Sequence, residues 1–152
     1  MYDDILIPTD GSAVAETAID HAIDLAEKYD ARLHALYVVD VDALDVSLGT
    51  EQVQRIKQGQ FDEMGELQTR ANEATGSVVE RGEKRGLEVV ESIQAGQPHR
   101  AVCNYADEEG IDLIVIGSHG RSGVRRALLG SVTERVLRTT DTPVLVVDAR
   151  EE

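Results

Sequence analysis

The stretch between Gly117 and Ser131 has the residue types of a phosphate-binding turn. Residues 118–130 contain three glycines, two serines and three arginines. The apolar run at residues 111–116 predicts a buried strand before the stretch, and Ser131 with Glu134 has the capping-box spacing that predicts a helix start after it. α/β proteins hold phosphates at such turns, because backbone amides and the helix dipole favour an anion there. The stretch therefore predicts an anion site; the alternative is that the glycines serve turn geometry alone.

Positive charge is concentrated in the same part of a strongly acidic chain. The 152 residues carry 15 lysines and arginines against 29 aspartates and glutamates, a net charge of −14. That balance argues against general binding to nucleic acids or anionic membranes. Residues 119–138 nevertheless hold five arginines and one acid, namely Arg121, Arg125, Arg126, Arg135, Arg138 and Glu134. We interpret this basic island as an anion-binding region; the alternative is a solvated face that balances acids elsewhere.

The remaining composition indicates the setting of the protein. Aromatic residues make up only 3% of the chain, so the core is expected to be aliphatic. No window approaches the roughly 18 apolar residues of a membrane span, and residues 1–15 lack the pattern of a signal peptide. The single cysteine, Cys103, fits a reducing cytoplasm. Many carboxylates with few lysines favour a halophilic acidic surface, on which high salt screens the repulsion.

Hydrophobic periodicity predicts alternating strands and helices. The strands are expected at residues 4–8, 32–39, 87–93, 112–116 and 144–147, and the helices at residues 13–29, 51–85, 98–109 and 131–139. Residues 40–50 have no clear period and are expected to form a mobile loop. Within the helix at residues 51–85, each glycine is expected to cost roughly 1 kcal/mol relative to alanine; these are Gly59, Gly65, Gly76 and Gly82.

This alternation indicates a Rossmann-like α/β fold in a single domain, residues 1–152. We expect a five-stranded parallel sheet with strand order 3-2-1-4-5 and helices on both faces. The winding direction then reverses between strands one and four, where ligands bind outside the carboxyl ends of the strands. On one side of this crevice, Asp10 is expected either to accept hydrogen bonds from ribose hydroxyls or to cap the first helix, as Ser12 can also do. On the other side, the amides of Gly120, Gly130 and Ser131 are expected to cradle phosphate oxygens.

Other patterns that carry chemistry are absent or weak. The chain has no Gly-x-x-x-x-Gly-Lys-Ser/Thr and no Gly-x-Gly-x-x-Gly after the first strand, which argues against a P-loop NTPase and a dinucleotide dehydrogenase. No Ser/His/Asp set has a diagnostic spacing, so no catalytic residue is assigned. His99 and Cys103 lie four residues apart, but two ligands do not make a metal site, and a packed thiol with a surface imidazole is favoured. His119 is expected either to touch a phosphate or to be exposed.

Several motifs together resemble the universal stress protein family, in its UspA-like, ATP-binding branch. The pattern Gly117-x2-Gly120-x9-Gly130-Ser131 is similar to the nucleotide motif of that family. The opening at residues 5–12, the Gly96-x-Pro98 turn, residues 112–120 and the ending at residues 142–147 also match. The resemblance covers nearly the whole chain and departs most at residues 40–85.

The resemblance implies an adenine nucleotide alpha hydrolase-like fold that binds ATP, with Mg²⁺ or Mn²⁺ on the phosphates. It implies that residues 8–10 lie near the adenosine and that Val38 lies against the base. It also implies a homodimer in which Val144–Val147 pairs across a two-fold axis, which would cover an apolar edge strand. The expected nucleotide-binding residues are Pro8, Thr9, Asp10, Val38, Ile116, Gly117, Ser118, His119, Gly120, Arg121, Gly130, Ser131 and Val132.

Three functions follow as hypotheses. The first is an ATP-binding, cytoplasmic stress-response regulator, a homodimeric switch in which ATP orders residues 121–129 and reports nucleotide state to a partner protein. The second is a slow ATPase or phosphotransferase, which needs a base or water-positioning group near the γ-phosphate; Ser118, His119 and Ser122 are the candidates. The third is a structural dimer module that binds no nucleotide.

Overall fold

The computed structural model describes residues 2–40, 65–119 and 130–148. The predicted loop beyond residue 40, the predicted helix at residues 51–64 and the segment at residues 121–129 lie outside the described residues. Residue 40 itself ends a strand. In chain order, the described elements are β1 (Asp4–Pro8), α1 (Ala13–Tyr29), β2 (Arg32–Asp40), α2 (Gly65–Lys84), β3 (Val89–Gly96), α3 (Pro98–Glu108), β4 (Leu113–Gly117), α4 (Ser131–Thr139) and β5 (Val144–Val147).

The strands form one parallel sheet in the order β3-β2-β1-β4-β5, which confirms the predicted fold class. β1 and β4 are neighbours, with Ile5 opposite Leu113 and Leu6 opposite Ile114. The chain winds away from this pair in opposite directions. The switch point of the sheet therefore lies where Pro8 and Gly117 end the two strands, which is where an α/β sheet accepts a ligand.

Side chains on the two faces of the sheet pack under different helices. Ile5 and Ile7 join one apolar core with α1 and α2, whereas Leu6 joins a second core with α3 and α4. Successive residues of a strand point to opposite faces, so both faces of the central strands are buried. This explains why these strands appear in the sequence as continuous apolar runs rather than as alternating ones.

The boundaries predicted for the third strand are wrong. The apolar run begins at Leu87, but the Leu87 amide donates to the Gly82 carbonyl at 3.0 Å, and Gly86 has a φ of 74°. Leu87 is thus still part of the turn that ends α2. β3 begins at Val89 and continues past the apolar run, because it pairs with β2 as far as Gly96 opposite Asp40.

A chain of polar side chains fastens the amino end of the sheet, opposite the switch point. The buried His34 ring contacts Tyr105 Oη at 2.7 Å through Nδ1 and Asp4 Oδ1 at 2.9 Å through Nε2. Arg32 donates to the same carboxylate oxygen at 2.9 Å. Burial would raise the pKa of Asp4, but the hydrogen bonds from His34 and Arg32 and the Arg32 charge hold it below its ordinary value. This group joins β1, β2 and α3.

Two glycines of α2 are expected to respond oppositely to alanine. A Cβ at Gly76 would meet nothing within 4 Å, whereas a Cβ at Gly82 would lie 2.6 Å from Val89 Cγ2 and 3.3 Å from Leu33 Cδ1. Gly76→Ala should raise the free energy of unfolding by up to about 1 kcal/mol, through helix propensity. Gly82→Ala should lower it by about 1–2 kcal/mol, because overpacking outweighs the same gain. Urea denaturation of the two variants checks this, and a stabilised Gly82→Ala would contradict the packing described.

Candidate functional site

The turn between β1 and α1 is held by its own polar side chains. The Thr9 amide donates to the Leu36 carbonyl at 2.9 Å, which keeps the chain beside β2 for one residue beyond β1. Asp10 Oδ1 accepts the Ser12 amide at 2.9 Å, and Gly11 between them has a φ of 78°. The cap of α1 is Ser12, whose Oγ accepts the Ala15 amide at 3.3 Å. Of the two predicted capping residues, Ser12 is therefore the N-cap, and Asp10 stabilises the turn before it.

Ser118 is a junction between three elements at the carboxyl end of β4. Its amide donates to the Val147 carbonyl of β5 at 2.8 Å, and its carbonyl accepts the Gly130 amide at 2.7 Å. Its hydroxyl donates to Asp148 Oδ1 at 3.0 Å. The end of β4 is thus tied to the end of β5 and to the residue that precedes α4.

Residue 130 must be glycine because a side chain would not fit there, not because of its backbone angles. Its φ of −64° and ψ of 154° are accessible to any residue. A Cβ at this position, however, would lie 2.9 Å from His119 Cα and 3.3 Å from the Ser118 carbonyl oxygen. Both contacts involve backbone atoms, which cannot move aside cheaply. The glycine therefore permits α4 to start directly against the residues that leave β4.

The predicted capping box at the start of α4 is wrong. Gly130 is the N-cap, and Ser131 is the first helical residue. Because the Gly130 amide is held by the Ser118 carbonyl, the helix starts at Ser131, one residue earlier than a Ser131 cap would require. Glu134 instead forms an ion pair with Arg138 at 2.8 Å, which takes one arginine out of the predicted basic island. A glycine N-cap has no side chain to cover the first-turn amides, so this helix end presents backbone donors and the positive end of the dipole.

The docking of α4 depends on Thr133, which the sequence analysis missed. Its buried hydroxyl donates to the Gly117 carbonyl at 2.7 Å and so ties the first turn of α4 to the last residue of β4. A Cβ on Gly117 would lie 3.1 Å from Val14 Cγ1, so α1 also packs closely there. A signal for Thr133 existed in the sequence: it is a polar residue three positions before the buried Val136, on the face turned to the sheet.

The structure brings most of the predicted nucleotide-binding residues to the switch point. Pro8, Thr9 and Asp10 end β1 or follow it, and Ile116, Gly117, Ser118 and His119 do the same for β4. Gly130, Ser131 and Val132 begin α4. Val38 of β2 and Val132 pack against the same apolar core, which includes Ile116. Gly120 and Arg121 lie outside the described residues, as do Arg125 and Arg126.

Two other features do not compete with this site. A cavity of about 410 Å³ lies at the amino end of the sheet, but its lining includes Asp3, Asp30 and Glu88, which disfavour an anion. Cys103 is buried, and burial, with the nearby charge of Asp107, raises the pKa of its thiol, as for a packed thiol.

Among residues 2–40, 65–119 and 130–148, no three His, Cys, Asp or Glu side chains form a metal-binding group. No helix of the described chain is long and apolar enough to cross a membrane.

Comparison with known proteins gives consistent matches. Residues 1–148 match the Universal stress protein family. Universal stress protein MJ0531 of Methanocaldococcus jannaschii is 38% identical over 148 residues, covering 97% of this chain and 82% of that protein. Universal stress protein MJ0577 of the same organism is 32% identical over 97% of this chain and 95% of that protein.

Solved structures agree with these sequence matches. The structure of MJ0577 has a TM-score of 0.77 at 31% identity, over 100% of this chain and 99% of that chain. A universal stress protein solved in complex with cAMP has a TM-score of 0.65 at 25% identity, over 97% of each chain. The sheet order and helix arrangement of this chain are therefore those of the structures that it resembles.

The assignment of the two helix caps can be tested with serine-to-alanine variants. Ser12→Ala should lower the free energy of unfolding by about 1 kcal/mol, because it removes an N-cap acceptor. Ser131→Ala should change it by no more than a few tenths of a kcal/mol, because an exposed residue within the helix tolerates alanine. Ser12→Asp is the control that keeps a capping oxygen. If urea denaturation gave equal losses for both alanine variants, Ser131 would have to be a cap after all.

Proposed function

Because this chain belongs to the universal stress protein family, we propose that it is a regulatory protein that binds ATP at the switch point between β1 and β4. The observation that carries the proposal is the start of α4. There the Gly130 amide donates to the carbonyl of Ser118, the residue after β4, at 2.7 Å. Gly130 is the N-cap and has no side chain to cover the first-turn amides. Such a helix end is suited to the phosphates of a nucleotide.

The adenosine end of the ligand is assigned to the other side of the switch point. Val38 and Val132 border one apolar core and offer apolar surface to a base. Pro8, Thr9 and Asp10 leave β1 beside them, and Asp10 supplies a carboxylate suited to ribose hydroxyls. The neighbour solved with cAMP supports an adenine nucleotide as the ligand class. The choice of ATP rests on the arginines between Gly117 and Ser131, whose charge suits a triphosphate.

A divalent cation, Mg²⁺ or Mn²⁺, would accompany ATP on its phosphates. Mg²⁺ commonly keeps several waters and takes phosphate oxygens as ligands, so it does not need an all-protein cage. This suits the described residues, in which no metal-binding group of three side chains is present.

The regulatory part of the proposal is a cytoplasmic homodimer that reports nucleotide occupancy to a partner protein under stress. β5 is hydrogen-bonded to β4 alone among the described strands and lies at the edge of the sheet. Leu145 in this strand is 36% exposed. An apolar edge strand is a liability unless it is covered, and a second copy of the same strand would cover it symmetrically.

Slow ATP hydrolysis or phosphoryl transfer is the alternative function. The Ser118 hydroxyl, one of its candidate groups, is buried and donates to Asp148. A hydroxyl engaged within the fold favours a binding role over a nucleophilic one. A single-turnover assay with labelled ATP separates the two functions through product formation. Native mass spectrometry for co-purified nucleotide tests the third hypothesis, a dimer module without nucleotide.

Gly130→Ala is expected to weaken ATP binding at least about tenfold. The added methyl group would lie 2.9 Å from His119 Cα, so α4 must move away from β4, which disperses the donors that would face the phosphates. Calorimetric titration with ATP and Mg²⁺ measures the change. Gly76→Ala, a glycine with open space around it, is the matched control. An unchanged affinity in folded Gly130→Ala would show that the phosphate assignment is wrong.

Leu145→Arg is expected to dissociate the proposed dimer, with an increase in its dissociation constant on the order of 100-fold or more. The two-fold axis would bring two like charges together at the strand pair. Sedimentation equilibrium measures the effect, and Tyr29→Arg, another exposed large side chain, is the control. A wild-type protein that stays monomeric at all concentrations would refute the dimer.

A further inference from the structure

Asp148 follows β5 and lies outside every motif identified in the sequence. Its Oδ1 accepts the hydroxyl proton of Ser118 at 3.0 Å, and Ser118 is only 6% exposed. The preceding residue, Val147, accepts the Ser118 amide at 2.8 Å. Two successive residues at the carboxyl end of β5 therefore hold both the backbone and the side chain of Ser118.

These contacts set the direction of a chain of hydrogen bonds. A carboxylate only accepts, so Ser118 commits its one hydroxyl proton to Asp148. His119 Nδ1 lies 3.1 Å from the same hydroxyl oxygen. With that proton already committed, His119 has to donate from Nδ1. Asp148 thereby selects the His119 tautomer that carries its hydrogen on Nδ1.

Ser118 passes this restraint to the start of α4. Its carbonyl oxygen accepts the Gly130 amide at 2.7 Å, and Gly130 approaches His119 too closely to leave room for a Cβ. Rotation of the Ser118–His119 backbone would therefore displace Gly130 and, with it, the first-turn amides of the helix.

We infer that Asp148 is a positioning residue of the nucleotide site, which acts through Ser118 on the first-turn amides of α4. The inference rests on the proposed function, because it requires that these amides receive phosphate. The inference means that Asp148 strengthens ATP binding, although its charge alone would weaken it, since a carboxylate near a polyphosphate repels it. It also connects the carboxyl end of the proposed dimer strand to the nucleotide site.

Three variants separate geometry from charge. Asp148→Ala removes the carboxylate and the acceptor, whereas Asp148→Asn removes the charge but keeps an acceptor oxygen. Asp141→Ala removes an exposed carboxylate just before the same strand. Asp148→Ala should weaken ATP binding about tenfold, as expected for the loss of one hydrogen bond to a charged acceptor. The other two should bind ATP at least as tightly as the wild type in calorimetric titrations.

A double-mutant cycle tests whether Asp148 acts through Ser118. Ser118→Ala should weaken ATP binding by a similar factor, and adding Asp148→Ala to it should change little. Additive losses would overturn the inference, and so would tighter binding by Asp148→Ala. A wild type that binds no ATP would refute the proposed function, and the inference with it. A wild type that binds ATP, with an unresponsive Asp148→Ala variant, would refute the positioning role alone.

The imidazole ¹⁵N resonances of His119 give a readout that needs no nucleotide. In Asp148→Ala the Ser118 proton is free to turn to Nδ1, so the resonances should shift toward the Nε2–H tautomer. Asp148→Asn should retain the wild-type spectrum. The chain has four histidines, and the signal missing from His119→Gln identifies the right one. Unchanged His119 resonances in Asp148→Ala would overturn the hydrogen-bond chain on which the inference depends.

Discussion

The hydrogen bond between the Ser118 carbonyl and the Gly130 amide, 2.7 Å long, is the contact on which the rest of the site depends. It brings residue 130 so close to the His119 backbone that a Cβ there would lie only 2.9 Å from His119 Cα, so the residue must be glycine. It also determines where α4 starts and therefore which amides lie at the switch point of the sheet. Thr133 reinforces the same contact one turn further on, through the Gly117 carbonyl. A helix whose N-cap residue supplies no capping side chain is tolerable here because tertiary contacts hold its first turn.

The fold could be predicted from the sequence because its signals are local and repeated. Apolar runs such as the one at residues 111–116 indicate strands buried on both faces, and the three- and four-residue spacing in α1 indicates a helix on the sheet. The order of the sheet follows from right-handed crossovers once the elements are known. Most predicted site residues were accessible by the same route, because the switch point directs attention to the segments after Pro8 and Gly117.

The features that could not be predicted from the sequence depend on contacts between distant residues. The spacing of Ser131 and Glu134 is a valid local signal, but the bond from Gly130 to Ser118 moved the helix start. The limits of β3 follow from pairing with β2 as far as Asp40, which no apolar run reveals. Asp148 gave no signal, because its partner Ser118 is 30 residues away in sequence. Gly82 looked like a weakness of α2, yet its missing side chain is what lets the helix approach Val89.

The hydrogen bond from Gly130 to Ser118 also has a topological consequence, because it closes a loop of chain that contains residues 119–129. The two ends of that segment meet at one point of the scaffold, whatever lies between them. The entropic cost of closing such a loop rises only slowly with its length, by about 0.6 kcal/mol for each doubling. A change in the composition of this segment therefore need not displace α4. For the same reason, the two residues mark an insertion point for grafting a foreign recognition sequence beside the switch point.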